Sequence, residues 1–300
     1  MNQRLLGYFR LARPANLPTA AADILTGVAV AGVISSANKD VFFRTVPGID
    51  ILYLVFASVF LYAGGVILND VFDYKIDAVE RPERPIPSGV IPLKLAVIYG
   101  GVALIMGIVL AFLVNSVSGW VAIALAASIL LYDAVAKQYD FFGPLSMGIC
   151  RGINLILGMS ILGTLGYWWM AAIPIVYIFA ITLISRGEVH GENKNHIILA
   201  GVLYATVIFA VLSLAFLCTD SILFPLLFLV LFSILVFRPL IKAHSENSPQ
   251  NIKKAVMAGV LSLVVLDASI AVSFSTWWYG LLILALLPTS RALSKLFAVT

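Results

Sequence analysis

The feature that most limits what this chain can fold into is its succession of long apolar runs. Stretches able to cross roughly 30 Å of hydrocarbon occur at about 15–35, 50–73, 91–114, 118–137, 143–165, 168–187, 196–217, 221–241 and 254–275. Within a bilayer every backbone N–H and C=O needs a partner inside the protein, and runs of this length satisfy that need as helices. The expected fold is an all-α integral membrane protein, a bundle of nine transmembrane helices. A last apolar piece, 277–287, is too short to span alone. It would either continue to about residue 297 as a short tenth C-terminal segment or lie at the interface behind Trp277, Trp278 and Tyr279. Only 11% of the 300 residues are charged, against about 25% in a soluble domain, so most of the surface must face lipid. Residues 1–300 read as one membrane domain.

Charge fixes orientation. With the N-terminus inside, fourteen Lys and Arg, from Arg4 to Lys254, fall in the inner connections, and only Lys39 and Arg44 fall in the outer ones. That is a positive-inside pattern. It predicts a multi-pass protein of the cell (inner) membrane with its N-terminus and acidic motifs on the cytoplasmic side. Arg291 and Lys295 join the inner side only if a tenth segment crosses back. The basic residues sit in breaks between apolar runs and form no stripe on a polar face, so no nucleic-acid partner is expected. Cys150 and Cys218 both lie in apolar runs and offer no disulfide framework or metal spacing. The Arg-flanked first run lacks a convincing cleavage site and is expected to be retained.

The second run ends in Asn69-Asp70-Val71-Phe72-Asp73-Tyr74-Lys75-Ile76-Asp77. On a continuous helix Asp70, Asp73 and Asp77 share one face, with no compensating cation on it. A solvated helix end is the plain reading. The cluster begins inside an apolar run, however, and intramembrane acids are functional hypotheses. A divalent cation would relieve the repulsion, and magnesium commonly bridges carboxylates to substrate phosphates. Arg81-Pro82-Glu83-Arg84-Pro85-Ile86-Pro87-Ser88-Gly89 follows. Its three prolines predict an extended loop presenting Arg84 and Arg81 as forked donors for phosphate. The sixth run ends in a second acidic cluster, with Glu188 and Glu192 one turn apart on a helix and His190 on another face; this is a weak internal echo of the first.

Inside the spans, Arg151 and Asn154 share a face of the fifth run. Two readings stand for Arg151: it meets an anionic head group, or it pairs with Asp23, Asp133 or Asp267. Asp23 lies about two turns beyond Asn16 on the same face and is a candidate for the same cavity.

The motif Asn69-Asp70-x-x-Asp73-x-x-x-Asp77, followed by Arg81-Pro82-x-Arg84-Pro85-Ile86-Pro87-Ser88-Gly89, strongly resembles the UbiA superfamily of intramembrane prenyltransferases. The combination is most similar to the chlorophyll synthase and digeranylgeranylglyceryl phosphate synthase branches. Arg13-Pro14-x-Asn16 resembles the family's entry motif, which implies that Asn16 lines the acceptor side. Tyr132-x-x-x-x-Lys137 resembles its second basic loop, implying a diphosphate contact by Lys137. Where the family has two aspartates in the second cluster, this chain has Glu188 and Glu192. The longer side chains leave open normal activity, an altered head group or lost chemistry.

The resemblance implies Mg²⁺-dependent transfer of an isoprenyl group from a prenyl diphosphate to an acceptor the sequence does not name, in contact with membrane lipid. Asp70, Asp73, Asp77, Glu188 and Glu192 would hold the metal. Asp70, Asp73, Arg84 and Lys137 would be catalytic. Asn16, Asp23, Asn69, Arg81, Tyr132, Arg151 and Asn154 would contact substrates. The alternatives are transfer of another diphosphate-activated group, such as phosphoribosyl, to a lipid carrier, and a non-catalytic transport or scaffold protein of the same fold.

Overall fold

Helix boundaries fall where the apolar runs meet Pro, Asn or Ser. Asn115 both ends one helix and caps the next: its side chain accepts from Ser118 N at 2.9 Å and donates to the Ser160 and Ile161 carbonyls, so a single residue closes that turn. Ser248 starts another helix with Pro249 in its first turn, where the missing N–H costs nothing. The computed structural model of the chain describes residues 3–34, 47–188, 191, 193–219 and 221–297. In chain order its helices are α1 (Gln3–Ala12), α2 (Leu17–Val30), α3 (Gly48–Phe72), α4 (Tyr74–Glu80), α5 (Leu93–Val114), α6 (Ser116–Ala134) and α7 (Phe142–Met159). Then come α8 (Ala172–Ser185), α9 (Lys194–Cys218), α10 (Leu223–Ser245), α11 (Pro249–Phe274), α12 (Trp277–Leu284) and α13 (Leu286–Phe297).

Among the described residues, nine helical segments are long and apolar enough to cross a membrane, and the chain is an integral multi-pass membrane protein. Eight of them match the second to ninth expected runs. The ninth is the C-terminal segment Trp277–Phe297, which α12 and α13 build together. The first expected run contracts to the 14 residues of α2, about 21 Å of helix and too short to span alone. Lys39 and Arg44 lie outside the described residues.

Short as it is, α2 is the spine of the bundle, buried over nearly all its length between α3, α7 and α11. Lipid is as apolar as leucine, so membrane helices associate through close packing rather than through escape from water. Here α2 and α7 meet backbone to backbone. A Cβ at Gly27 would stand 2.5 Å from the Leu155 carbonyl oxygen, and one at Gly158 would stand 2.5 Å from that of Ile24. Only glycine permits that crossing. A second core joins α8, α9 and α10 around Tyr177, Tyr204 and Phe232, with the Tyr177 hydroxyl donating to the Gly259 carbonyl of α11 at 2.8 Å.

The first and last described helices lie together. Ser290 of α13 donates to the Ala15 carbonyl, and the Phe9 and Phe297 rings lie 5.2 Å apart. The C-terminal basic residues therefore share a face with Arg4, Arg10 and Arg13.

Candidate active site

The first acidic cluster does not lie on one continuous helix. α3 stops at Phe72, Asp73 takes a non-helical conformation (φ −85°, ψ 2°) and α4 restarts at Tyr74. The helical spacing of Asp70, Asp73 and Asp77 is thus divided by a break. Asp70 and Asp77 turn to one side, where Arg84 bridges them at 3.2 and 2.6 Å. Asp73 turns to Lys137, 2.6 Å away.

The face that carries the acids supplies no cation of its own, but the tertiary fold brings cations to it. Three cations reach them from three other segments, and the third is Arg13, 2.6 Å from Asp70 Oδ1. Arg13 has a left-handed backbone (φ 45°, ψ 61°). It is the sole non-glycine residue with positive φ among the described residues and it precedes a proline, where extended backbone is usual. A conformation of this kind costs about 1–3 kcal/mol and persists where the surroundings enforce it.

The proline loop is also not extended. It is a run of tight turns, with Ser88 N bonding Arg84 O at 3.0 Å and Ile91 N bonding Pro85 O at 2.9 Å. Gly89 supplies the positive φ of 75° that such a turn needs. Buried Ile86 and Ile91 pin the loop against Leu11, Ile67 and Ala96. Arg84 is thereby held over the acids, while Arg81 remains exposed at the rim.

Beside this cluster lies a cavity of about 280 Å³, which it adjoins through Arg13 and Asn69. Asn16, Tyr132, Asp133, Arg151 and Asn154 also line it, and Leu125, Ile129, Ile178 and Leu263 supply apolar wall. Five expected substrate residues (Asn16, Asn69, Tyr132, Arg151 and Asn154) therefore share one cavity, although Tyr132 ends α6 and Lys137 sits in a separate 3₁₀ turn, Ala136–Gln138. Asp23 is fully buried behind the wall.

Of the candidate partners for Arg151, the structure selects Asp23, at 2.7 Å. Arg151 also donates to the Thr19 carbonyl and hydroxyl. Asn154 ties Asp23 (2.7 Å) to Ser58 (2.7 Å), and Asp267 sets a second carboxyl against Asp23. Arg151 is thus already neutralised within the bundle.

The second acidic cluster is not helical where it can be described. α8 ends at Ser185, a turn covers 186–188, and Gly191 has φ 72°. Burial raises the Glu188 carboxyl above the ordinary range, against the pull of Lys253 and Arg81. Glu192 and His190 lie outside the described residues.

Sequence reasoning assigned no role to Arg13 and named Asp133 only as a possible partner for Arg151. In the structure Arg13 contacts Asp70 and lines the cavity, while Asp133 accepts from Asn69 Nδ2 at 2.7 Å and has its other oxygen free of hydrogen bonds. A lone acid in the apolar run of α6 was the available signal for Asp133.

Among the described residues no three acidic, histidine or cysteine side chains form a ready cage for a metal. The donor set still fits magnesium. All three aspartates offer hard oxygens, and each keeps one oxygen without a cation, since the ion pairs use Oδ1 of Asp70, Oδ1 of Asp73 and Oδ2 of Asp77. Magnesium is held by one or two carboxylates together with substrate phosphates and water, which requires no protein-only cage.

Comparison with known proteins gives a concordant picture. The model of the UbiA prenyltransferase family matches residues 25–258. A digeranylgeranylglyceryl phosphate synthase from Methanococcoides burtonii is 40% identical over 161 residues, covering 53% of this chain and 56% of that protein; the match thus spans just over half of the relative's length. A solved structure concerned with digeranylgeranylglyceryl phosphate synthase in membranes superposes with a TM-score of 0.66 at 20% identity, over 90% of this chain and 98% of the other. A UbiA homologue from Archaeoglobus fulgidus bound to GPP and Mg²⁺ superposes with a TM-score of 0.59 at 14% identity, over 88% and 99%. At such identities the two structures are alike in fold.

Proposed function

The chain belongs to the UbiA prenyltransferase family, and on that premise we propose that it transfers an isoprenyl group from an allylic diphosphate to a hydroxyl of a prenylated glyceryl phosphate. The single observation carrying this reading is the meeting of Asp70, Asp73 and Asp77 with Arg13, Arg84 and Lys137 beside a cavity with apolar walls. The acceptor class follows from the relatives named digeranylgeranylglyceryl phosphate synthase. We propose further that all 300 residues form one domain, with the acidic face in the cytoplasm, where basic connections concentrate.

Asp70, Asp73 and Asp77 are the residues that would hold magnesium, with Glu188 the acid of the second cluster that would join them. Bound there, the metal supplies charge neutralisation at the leaving diphosphate. The protein's own part is an exchange of partners. Without substrate, three cations satisfy three carboxylates. When the anionic diphosphate arrives, Arg84, Arg13 and Lys137 turn to its oxygens and free the carboxylates for the metal. The same cations stabilise the charge that builds as the allylic carbon–oxygen bond breaks. The apolar wall of Leu125, Ile129, Ile178 and Leu263 keeps water from the allylic cation. Arg151, neutralised by Asp23, is left to orient uncharged polar atoms of the acceptor rather than bind an anion.

The test is incubation of the purified protein with geranylgeranyl diphosphate and geranylgeranylglyceryl phosphate, with mass spectrometry of the lipid extract. The expected result is a doubly prenylated product that disappears with EDTA. Product from a phosphoribosyl donor alone, or none from either donor, would reject the reading.

A further inference from the structure

We infer that Asp133 takes the proton from the acceptor hydroxyl as the new ether bond forms, an inference that rests on the prenyl-transfer reading. The balance of the reaction demands an acceptor for that proton. The bond between the allylic carbon and the diphosphate oxygen breaks with its electron pair going to the diphosphate. The acceptor oxygen bonds the allylic carbon, and its proton must then leave. A side chain fixed in the cavity can receive that proton at the moment of reaction, in competition with the departing diphosphate, the other base at hand.

Asp133 is the one carboxylate among the described residues that line the cavity. It is 2% exposed. Its Oδ1 accepts from Asn69 Nδ2 at 2.7 Å, which fixes the plane of the carboxyl, and its Oδ2 is buried without a hydrogen-bond partner. The competing acids are committed elsewhere. Without substrate, Asp70, Asp73 and Asp77 are bound by Arg13, Arg84 and Lys137 and would hold the metal once the donor is bound, and Asp23 is bound by Arg151 and Asn154 behind the wall. Among the described residues Asp133 has no ion-pair partner; without substrate Lys137 and Arg13 engage Asp73 and Asp70 instead. A buried carboxylate oxygen without a partner, in a residue that lines a cavity, is costly unless a ligand completes it, and a hydroxyl hydrogen is what this oxygen can accept. The proton passes to water when the site opens to release product.

The experiment uses the full-length chain, its Asp133→Asn variant, geranylgeranyl diphosphate and geranylgeranylglyceryl phosphate. Asparagine keeps the shape and the acceptor oxygen for Asn69 and removes the base. Two readouts separate the steps. Transfer is read as product per unit time. Cleavage of the donor is read as movement of ¹⁸O from the bridging to the non-bridging position of the diphosphate, with a deoxy acceptor in place so that no proton need move. The expected result is at least about a 100-fold loss of transfer, with isotope exchange and donor KM within about threefold of the parent. Transfer that survives within threefold, or exchange that falls along with transfer, would overturn the role. Absence of both transfer and exchange in the parent chain would instead remove the prenyl-transfer reading, and this inference with it.

Discussion

Replacing Arg84 by methionine removes the guanidinium that joins Asp77 at 2.6 Å and Asp70 at 3.2 Å. Asp70 keeps Arg13, but Asp77, whose side chain is only 4% exposed, loses the guanidinium that pairs with it. A charge-assisted hydrogen bond is worth about 1.5–3 kcal/mol, and stranding a buried charge costs about 3–5 kcal/mol. Because Arg84 is itself 23% exposed, water recovers part of this, and about 3 kcal/mol is the expected loss. With an unfolding entropy of about 2 cal/mol/K per residue, the melting temperature falls by about 5 °C. Added Mg²⁺ should restore part of the loss, since the cation can take the place of the guanidinium between the carboxylates. Activity should fall by about 10²–10³ in kcat, the usual cost of removing one donor aimed at developing charge. The assays are thermal unfolding in detergent with and without Mg²⁺, and product formation. Arg186→Met is the control. It breaks an ion pair of similar length, 2.8 Å, to Asp140, whose side chain is 99% exposed, so it should change stability by no more than about 1 kcal/mol and leave turnover intact. Equal effects of the two substitutions, or Arg84→Met turnover within threefold of the parent, would refute the reasoning.

Asp73→Asn should lower kcat by at least about 100-fold and raise the Mg²⁺ concentration needed for half-maximal rate, measured by titration of the metal against product. Gly158→Val should prevent the contact of α2 with α7, because its Cβ meets the Ile24 carbonyl at 2.5 Å; gel filtration in detergent should show aggregated rather than monodisperse protein. For the buried pair, Asp23→Asn and Arg151→Met should each cost about 3–5 kcal/mol, whereas the double variant should cost clearly less than their sum. A thermal-stability cycle reads that coupling, and additive losses would show that the pair does not interact.

How much of this was legible in sequence depended on the kind of pattern involved. Helices α3 and α5 to α11 follow from apolar length alone, because hydrocarbon thickness dictates it. The break at Asp73 did not, since acids at i, i+3 and i+7 look the same on a whole helix and on one interrupted between α3 and α4. The prolines at 82, 85 and 87 fix φ but leave ψ open, so they could not distinguish an extended loop from the turns seen; Gly89 was the better clue. The partners of the acids were invisible for a different reason. Arg13 and Lys137 lie 57 and 64 positions from the aspartates they meet, and only the tertiary fold brings such distant residues together. Arg151 shows the converse case: its need for a partner was evident, and its pairing with Asp23 rather than Asp133 leaves Asp133, a cavity-lining residue, with one oxygen free of hydrogen bonds.

The account turns on an exchange of partners at the aspartates, and anomalous diffraction from crystals grown with Mn²⁺ and a non-hydrolysable geranylgeranyl diphosphate analogue observes it directly. The expected map places manganese within about 2.5 Å of the Asp70 and Asp73 carboxylates, with Arg84 and Lys137 turned away from them onto the phosphates. A diphosphate bound elsewhere, or manganese absent while Arg84 and Lys137 still hold the aspartates, would contradict it.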